Sequence, residues 1–145
     1  IPSIYYGSEW GIEGRRTSQD DSALRPCLDL EEMQRSSPQP DLPKVIARLS
    51  CLRNTHSALR DGSYSQLVVA SEQLAFAREN SEEYLVILLN AADTPAAFKI
   101  DLPFDAVSAV DILNGEENFQ ISGKSLYIET TNPHCGRVLS FARNL

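Results

Sequence analysis

The sequence is poor in the residue types that build most specialised sites. Its 145 residues include three cysteines, two histidines, one methionine and one tryptophan. Cys27, Cys51 and Cys135 are odd in number and show no C-x-x-C spacing, which excludes a disulfide framework and a cysteine-rich zinc site. They are expected as free thiols, buried or half-buried, and that usage points towards a reducing, cytoplasmic setting. No apolar run approaches the roughly 20 residues of a membrane-spanning helix, so no membrane is expected as partner. Basic side chains are outnumbered, 13 against 20 acidic ones, for a net charge of −7. Nucleic acids and anionic surfaces attract basic patches, so neither is an expected partner. No glycine-rich loop precedes a helix to cradle a phosphate, and no G-x-S-x-G supplies a serine nucleophile. His56 follows an amphipathic helix and reads as a packing or capping residue, and His134 lies in an Asn-Pro-His-Cys turn. No cofactor and no metal-ligand set is implied.

What is present is ordinary globular material. Apolar residues make up 42% and charged residues 23%, close to the averages of folded domains. A chain this long buries about 70% of the surface its unfolded form exposes, enough for one good core. It starts at Ile1, without Met and on an apolar run, and reads as a piece cut from a longer protein.

The hydrophobic period changes once. Ile1–Tyr6, rich in β-branched and aromatic residues, predicts a short buried strand. Residues 7–26 form a long loop punctuated by Gly7, Gly11, Gly14 and Pro26, and loops of this length are often functional. Leu28–Arg35 predicts two helical turns. Leu42, Val45, Ile46, Leu49 and Leu52 then follow at helical spacing, with Asp41 as N-cap and Pro43 in the first turn. Ser57–Arg60 adds another turn before Asp61-Gly62 stops it. From Ser63 the period is two. Tyr64–Ala70, Leu74–Glu79, Tyr84–Asn90, Ala96–Leu102, Val107–Ile112, Asn118–Ile121, Ser125–Glu129 and Arg137–Ala142 all read as strands. This predicts a mainly β fold, an antiparallel Greek-key β-sandwich of about eight strands over residues 63–145. Leu85–Leu89 is an unbroken apolar run and is expected to be central, covered on both faces. Residues 1–62 cannot close a fold alone: a lone strand has unpaired backbone groups on both edges and needs a partner.

The carboxylates form few useful pairs. Asp20-Asp21, Glu31-Glu32, Glu82-Glu83 and Glu116-Glu117 are sequence neighbours, whose side chains diverge rather than face each other across a substrate. Asp20 and Asp21 are placed to hold the long loop through Arg15, Arg16 or Arg25. Tyr5, Tyr6 and Trp10 cluster around Gly7 and Glu9. Aromatic faces beside a carboxylate acceptor suit the apolar C–H faces and hydroxyl rims of sugars, while packing within the loop is the plainer role for the same rings.

At this point the residues carry a resemblance. Ile1-Pro2-Ser3-Ile4-Tyr5-Tyr6-Gly7-Ser8-Glu9 resembles the G-x-P-x-x-Y-Y-G-x-E segment of the α-amylase family of glycoside hydrolases, family 13. Asp20/Asp21 to Arg25-Pro26 resembles the Asp…Arg-Pro of its cyclomaltodextrinase- and neopullulanase-type members, and His56-Ser57-Ala58-Leu59-Arg60-Asp61-Gly62 resembles their H-x-A-L-R-x-G exit. Ser8 stands where the family commonly has Asp, and Cys27-Leu28-Asp29 where many members have Met-x-Trp. The resemblance covers the whole chain. It implies that residues 1–62 are the last strand, loop and helix of a (β/α)8 barrel, and residues 63–145 a C-terminal sandwich. It further implies a retaining enzyme acting on α-glucan oligosaccharides, with the remainder of the barrel as partner of this segment.

The family's catalytic Asp, Glu and Asp lie on barrel strands before the eighth, and no residue here matches them. Retaining hydrolysis needs two carboxylates about 5–5.5 Å apart. No residue of this chain is therefore expected to be catalytic, and the isolated chain is expected to be inactive. Active sites of such barrels lie at the C-terminal ends of the strands, so the resemblance makes Tyr6, Glu9, Trp10, Asp20, Asp21 and Arg25 residues of the cleft rim, with Glu9 a loop-organising acceptor. Two other roles are open to the sandwich. It could be a carbohydrate-binding module using its aromatic residues, most of which fall at core positions of the alternation. It could also be a purely structural unit whose exposed apolar surface drives formation of a homo-oligomer.

Overall fold

The computed structural model describes residues 2–143. Its contacts divide the chain into two compact units, Ile1–Ser50 and Cys51–Leu145.

The first unit is loop and helix. The expected strand does not form over residues 2–6; Ile1 lies outside the described residues. A strand is stable only beside another, and no described segment pairs with this one. Ile4, Tyr5 and Tyr6 are exposed at 53%, 55% and 46%. A tight turn follows at Ser8–Trp10, and a second at Ser22–Leu24. A methyl group on Gly14 would overlap the Ala23 carbonyl, so only glycine lets these two stretches of loop touch. Helix α1, Leu30–Ser36, starts two residues later than the sequence suggests because Asp29 caps it, accepting from the Glu32 N–H at 2.9 Å.

Helix α2, Leu42–Thr55, has the expected apolar stripe but buries none of its residues fully. Val45 and Leu49 are 49% and 46% exposed. The Asp41 carbonyl accepts from the Val45 N–H, while its carboxylate pairs with Lys44 Nζ at 3.2 Å. Cys27 and Cys51 are exposed and only Cys135 is half-buried, a correction to the expected burial of all three thiols. Cys51 lies on α2, none of whose residues is fully buried.

In the second unit a short helix, α3 (Ala58–Asp61), leads into six strands: β1 Ser63–Val69, β2 Gln73–Glu79, β3 Tyr84–Asn90, β4 Ala96–Asp111, β5 Glu117–Thr131 and β6 Cys135–Arg143. All pairings are antiparallel, in the order β1-β2-β3-β6-β4-β5. β6 returns to lie between β3 and β4, a crossover of neighbouring strands that differs from the 4-1-2-3 order of the expected Greek key.

The eight strands read from the sequence become six because two pairs fuse. Leu102-Pro103-Phe104-Asp105 looks like a connection, yet it is the bend of β4. There the register jumps from Asp101↔Ser125 to Ala106↔Gly123. Pro103 lacks an N–H, and an irregularity is where a strand tolerates that. The Ser122-Gly123-Lys124 turn is the matching bend of β5, with Gly123 at φ 76°. The turn residues mark a change of direction without a reversal.

The bends make the sandwich. Beyond them Phe98, Ile100 and Leu102 of β4 and Leu126 and Ile128 of β5 pack with Ala75, Ala77, Val86 and Leu88 in one core. Tyr84, Phe104 and Phe141 meet edge to face at 5.1–6.1 Å beside it. Gly123→Ala is expected to cost about 1–2 kcal/mol, since the left-handed conformation is strained for any L side chain. The nearest atom to the new methyl would be an Asp105 oxygen at 3.8 Å, so crowding adds nothing. Urea denaturation measures the loss.

β3 is central as expected. Its core face carries Tyr84, Val86 and Leu88, while on the other face burial fades from Leu85 (0% exposed) to Leu89 (41%). α3 lies against β2 and β3 and puts its fully buried Ala58 there. Glu83, at the start of β3, fastens this contact. Its Oε1 accepts from the Ala58 N–H and Ser57 Oγ, both at 3.1 Å, and its Oε2 lies 2.7 Å from His56 Nδ1. A carboxylate only accepts, so the imidazole donates from Nδ1. Arg78 Nε donates to the Ala58 carbonyl, and Asn80 Nδ2 to Ser57 Oγ. The capping and packing role read for His56 is therefore concrete: it locks the helical exit onto the sandwich.

Candidate functional site

The long loop of the first unit encloses a concavity of about 360 Å³. Tyr5 and Tyr6, with ring centroids 5.0 Å apart, contribute aromatic surface, and Ile12, Leu24 and Pro26 contribute aliphatic surface. Asp21 and Arg25 line it too and form an ion pair at 3.3 Å, both side chains substantially exposed. The loop is set by its own backbone. Ile12 N–H donates to the Gly7 carbonyl at 3.1 Å, and Thr17 and Asp20 bond each other reciprocally, N–H to carbonyl and N–H to hydroxyl, at 2.9 Å.

Of the six rim residues read from the sequence, Tyr6, Asp21 and Arg25 line this concavity. Asp20 does not. It lines a shallower polar hollow with Arg16, Thr17 and Asp21, and its carboxylate is taken up by Ser22. Bonds from the Ser22 hydroxyl and N–H hold the Asp20 carboxyl below its ordinary range, with the Asp21 N–H adding to the effect. Asp20 thus organises the loop, and it does so through Ser22 rather than through an arginine.

Trp10 is half-buried away from the concavity, and its carbonyl accepts from the Gln39 N–H at 3.0 Å. Glu9 is also off the concavity. Its Oε2 is buried and has no hydrogen-bond partner among the described residues, so the acceptor role expected of it is unfilled there. Tyr5, read from the sequence as part of the aromatic cluster but not counted with the rim, also lines the concavity, and so does Glu13, which nothing in the pattern marks. His134 Nε2 meets Asp93 at 2.9 Å on the exposed surface. Among the described residues no group of three or more His, Cys, Asp or Glu side chains is gathered for a metal ion. The arrangement offers recognition: flat aromatic faces, one fixed ion pair and apolar walls.

The chain is mainly antiparallel β, a fold it shares with solved amylase structures. No family model matches it. It is 32% identical to a β/α-amylase of Paenibacillus polymyxa over 62% of this chain and 7% of that protein. It is 25% identical to a cyclomaltodextrinase of Thermoanaerobacter pseudethanolicus over 92% of this chain and 21% of that protein. The α-amylase of Geobacillus thermoleovorans, crystallised with acarbose, superimposes with a TM-score of 0.76 at 20% identity, over 97% of this chain and 29% of that one. The chain thus spans about a fifth or less of the curated relatives it matches. Its relatives are α-amylase-family members, amylases, a cyclomaltodextrin glucanotransferase and a cyclomaltodextrinase, and the chain is related to that family.

Proposed function

We propose that this chain is the C-terminal segment of a retaining glycoside hydrolase that acts on α-glucans or maltodextrins. Residues 1–62 are the part that belongs to the catalytic barrel, and residues 63–145 are the sandwich that caps it. Tyr6, Glu9, Trp10, Asp20, Asp21 and Arg25 belong to the rim of the substrate cleft, and the catalytic carboxylates are supplied from outside this chain. The observation that carries this is the similarity to a cyclomaltodextrinase over 92% of the chain. The acarbose complex of the Geobacillus thermoleovorans enzyme supports an oligosaccharide as the ligand of the whole enzyme.

The first unit fits this role. Its unpaired residues 2–6, the exposed stripe of Val45 and Leu49 and the unfilled Glu9 oxygen all call for a neighbour, and the remainder of a barrel supplies strand, apolar surface and donors. The aromatic concavity next to Asp21 and Arg25 is built to meet sugar faces and hydroxyls.

The purified 145-residue chain is expected to show no hydrolysis of maltodextrin above the buffer control. Sustained turnover that disappears on Glu9→Gln, Asp20→Asn or Asp21→Asn would place the chemistry in this chain and overturn the reading. In the full-length enzyme carrying the segment, Asp21→Ala is expected to raise KM for maltodextrin by about three- to tenfold with little change in kcat, the mark of lost ground-state binding.

A further inference from the structure

A second concavity, of about 400 Å³, opens on the sandwich itself. β5 ends the strand order, so one of its edges is unpaired among the described residues, and its bend at Gly123 brings two stretches of the strand to the same hollow. Glu117 and Phe119 come from one side of the bend, and Tyr127, Ile128, Glu129 and Thr130 from the other.

The alternation rule assigns most aromatic residues of the sandwich to the core. Tyr127 is an exception, 60% exposed on an edge strand. An exposed aromatic on an open edge invites unwanted pairing, and such edges are ordinarily protected by charge or proline. Here the ring instead borders a hollow of the size that takes a small ligand.

The hollow is also pre-organised. Arg137 of β6 reaches three of its lining residues: Nη1 donates to Glu117 Oε2 at 2.6 Å, Nη2 donates to the Thr130 carbonyl at 3.3 Å, and the guanidinium lies 5.4 Å from the centre of the Phe119 ring. Arg137 is itself anchored on fully buried Asp111 at 2.9 Å. Burial opposes the charge on Arg137, but its bonds to the Glu117 and Asp111 carboxylates, with their charges, outweigh it and raise the group further. Its Nε–H is buried without a partner among the described residues.

The lining selects a ligand class. Glu117 and Glu129 repel anions, and no third ligand is gathered for a metal among the described residues. Two aromatic faces with carboxylate acceptors beside them match a neutral, hydroxyl-rich molecule that has apolar C–H faces. We propose that the β5 edge of the sandwich is a binding site for a neutral oligosaccharide, with Tyr127 stacking on a pyranose ring and Glu117 and Glu129 accepting its hydroxyls. The site is read from the sandwich alone; only the choice of an α-linked glucan rests on the function proposed above.

The test is a calorimetric titration of the full 145-residue chain with maltoheptaose and, separately, with cellohexaose. Saturable binding of maltoheptaose is expected, weakened by about tenfold or more in Tyr127→Ala and by a smaller factor in Glu129→Gln. Tyr127 points outward, so its replacement should leave the thermal midpoint almost unchanged, and a melting curve of each variant checks this. Binding of cellohexaose in place of maltoheptaose, again dependent on Tyr127, supports the site while removing the α-glucan assignment. Absence of saturable binding by either sugar, or binding indifferent to Tyr127→Ala in a folded variant, overturns the proposal.

Discussion

Asp111→Ala is expected to destabilise the sandwich by about 3–5 kcal/mol, the cost of removing the buried half of the Arg137 charge pairing together with the acceptor of three backbone N–H groups. Asp111 is 0% exposed and its two oxygens serve five donors. Oδ1 accepts from the N–H groups of Leu113, Asn114 and Val138, and Oδ2 from Asn114 Nδ2 and Arg137 Nη1. One side chain therefore shapes the turn after β4, ties it to β6 and neutralises Arg137. Thermal denaturation should show a midpoint lowered by more than about 10 °C for a unit of this size. Arg137→Met in the same chain separates the contributions. Glu117 still pairs with Arg137 when Asp111 is gone, so the readout is the coupling: if the Asp111–Arg137 pair dominates, Arg137→Met costs clearly less in the Asp111→Ala background than in the parent; if the backbone donors dominate, the two losses add. A midpoint within a degree or two of the parent for Asp111→Ala alone would show that water or rearrangement replaces the network.

The second large effect is expected at Glu83. Glu83→Ala removes the acceptor for His56, Ser57 and the Ala58 N–H, and leaves that backbone donor against the sheet. Charge-assisted bonds of this kind contribute about 1.5–3 kcal/mol each at most, and the net loss is expected near 3 kcal/mol. Burial pushes the Glu83 carboxyl up, but the hydrogen bonds from His56, the Ala58 N–H and Ser57, together with the His56 charge, outweigh it and hold the group below its ordinary value of 4.5. The folded value lies below the unfolded one. The resulting stabilisation is fully present above 4.5 and is lost as the pH falls through the lowered folded value. Urea midpoints measured between pH 7 and pH 3 should therefore fall more steeply for the parent chain than for Glu83→Gln. Parallel curves for the two chains would remove Glu83 from the acid response.

The two effects bear on how much of this molecule its sequence discloses. Period-two alternation locates the strands well, because alternate burial across a sheet is a local property. β1, β2, β3 and β6 lie where the alternation puts them. Whether a turn-forming run reverses the chain or only bends it is not local. Pro103 and Gly123 signal an interruption equally in both cases, and only pairing across the sheet decides for a bend. Buried polar hubs are hidden for the same reason. Asp111 and Arg137 stand 26 residues apart, and Asn90 reaches the Thr131 carbonyl across 41.

Of the residues lining the concavity of the first unit, Tyr6, Asp21 and Arg25 stand out in the sequence because an aromatic and a pair four residues apart are short-range features. Asp20 was legible as a loop-holding residue but not in its partner, since the Asp20–Ser22 bond looks like any polar dipeptide spacing until the turn is formed. The hollow at the β5 edge was not legible at all, because it exists only when the two halves of a bent strand turn towards each other.

The bends of β4 and β5 also decide how the sandwich can come apart. In many two-sheet folds separate strands build each sheet, and one can loosen while the other holds. Here two continuous strands run through both layers: the buried Phe98 and Ile100 share β4 with the Ala106–Asp111 stretch that pairs with β6, and the buried Leu126 and Ile128 share β5 with the Glu117–Gly123 stretch that pairs with that same part of β4. Peeling either layer drags on the ladder of the other. The layers form one cooperative unit, opening together or not at all.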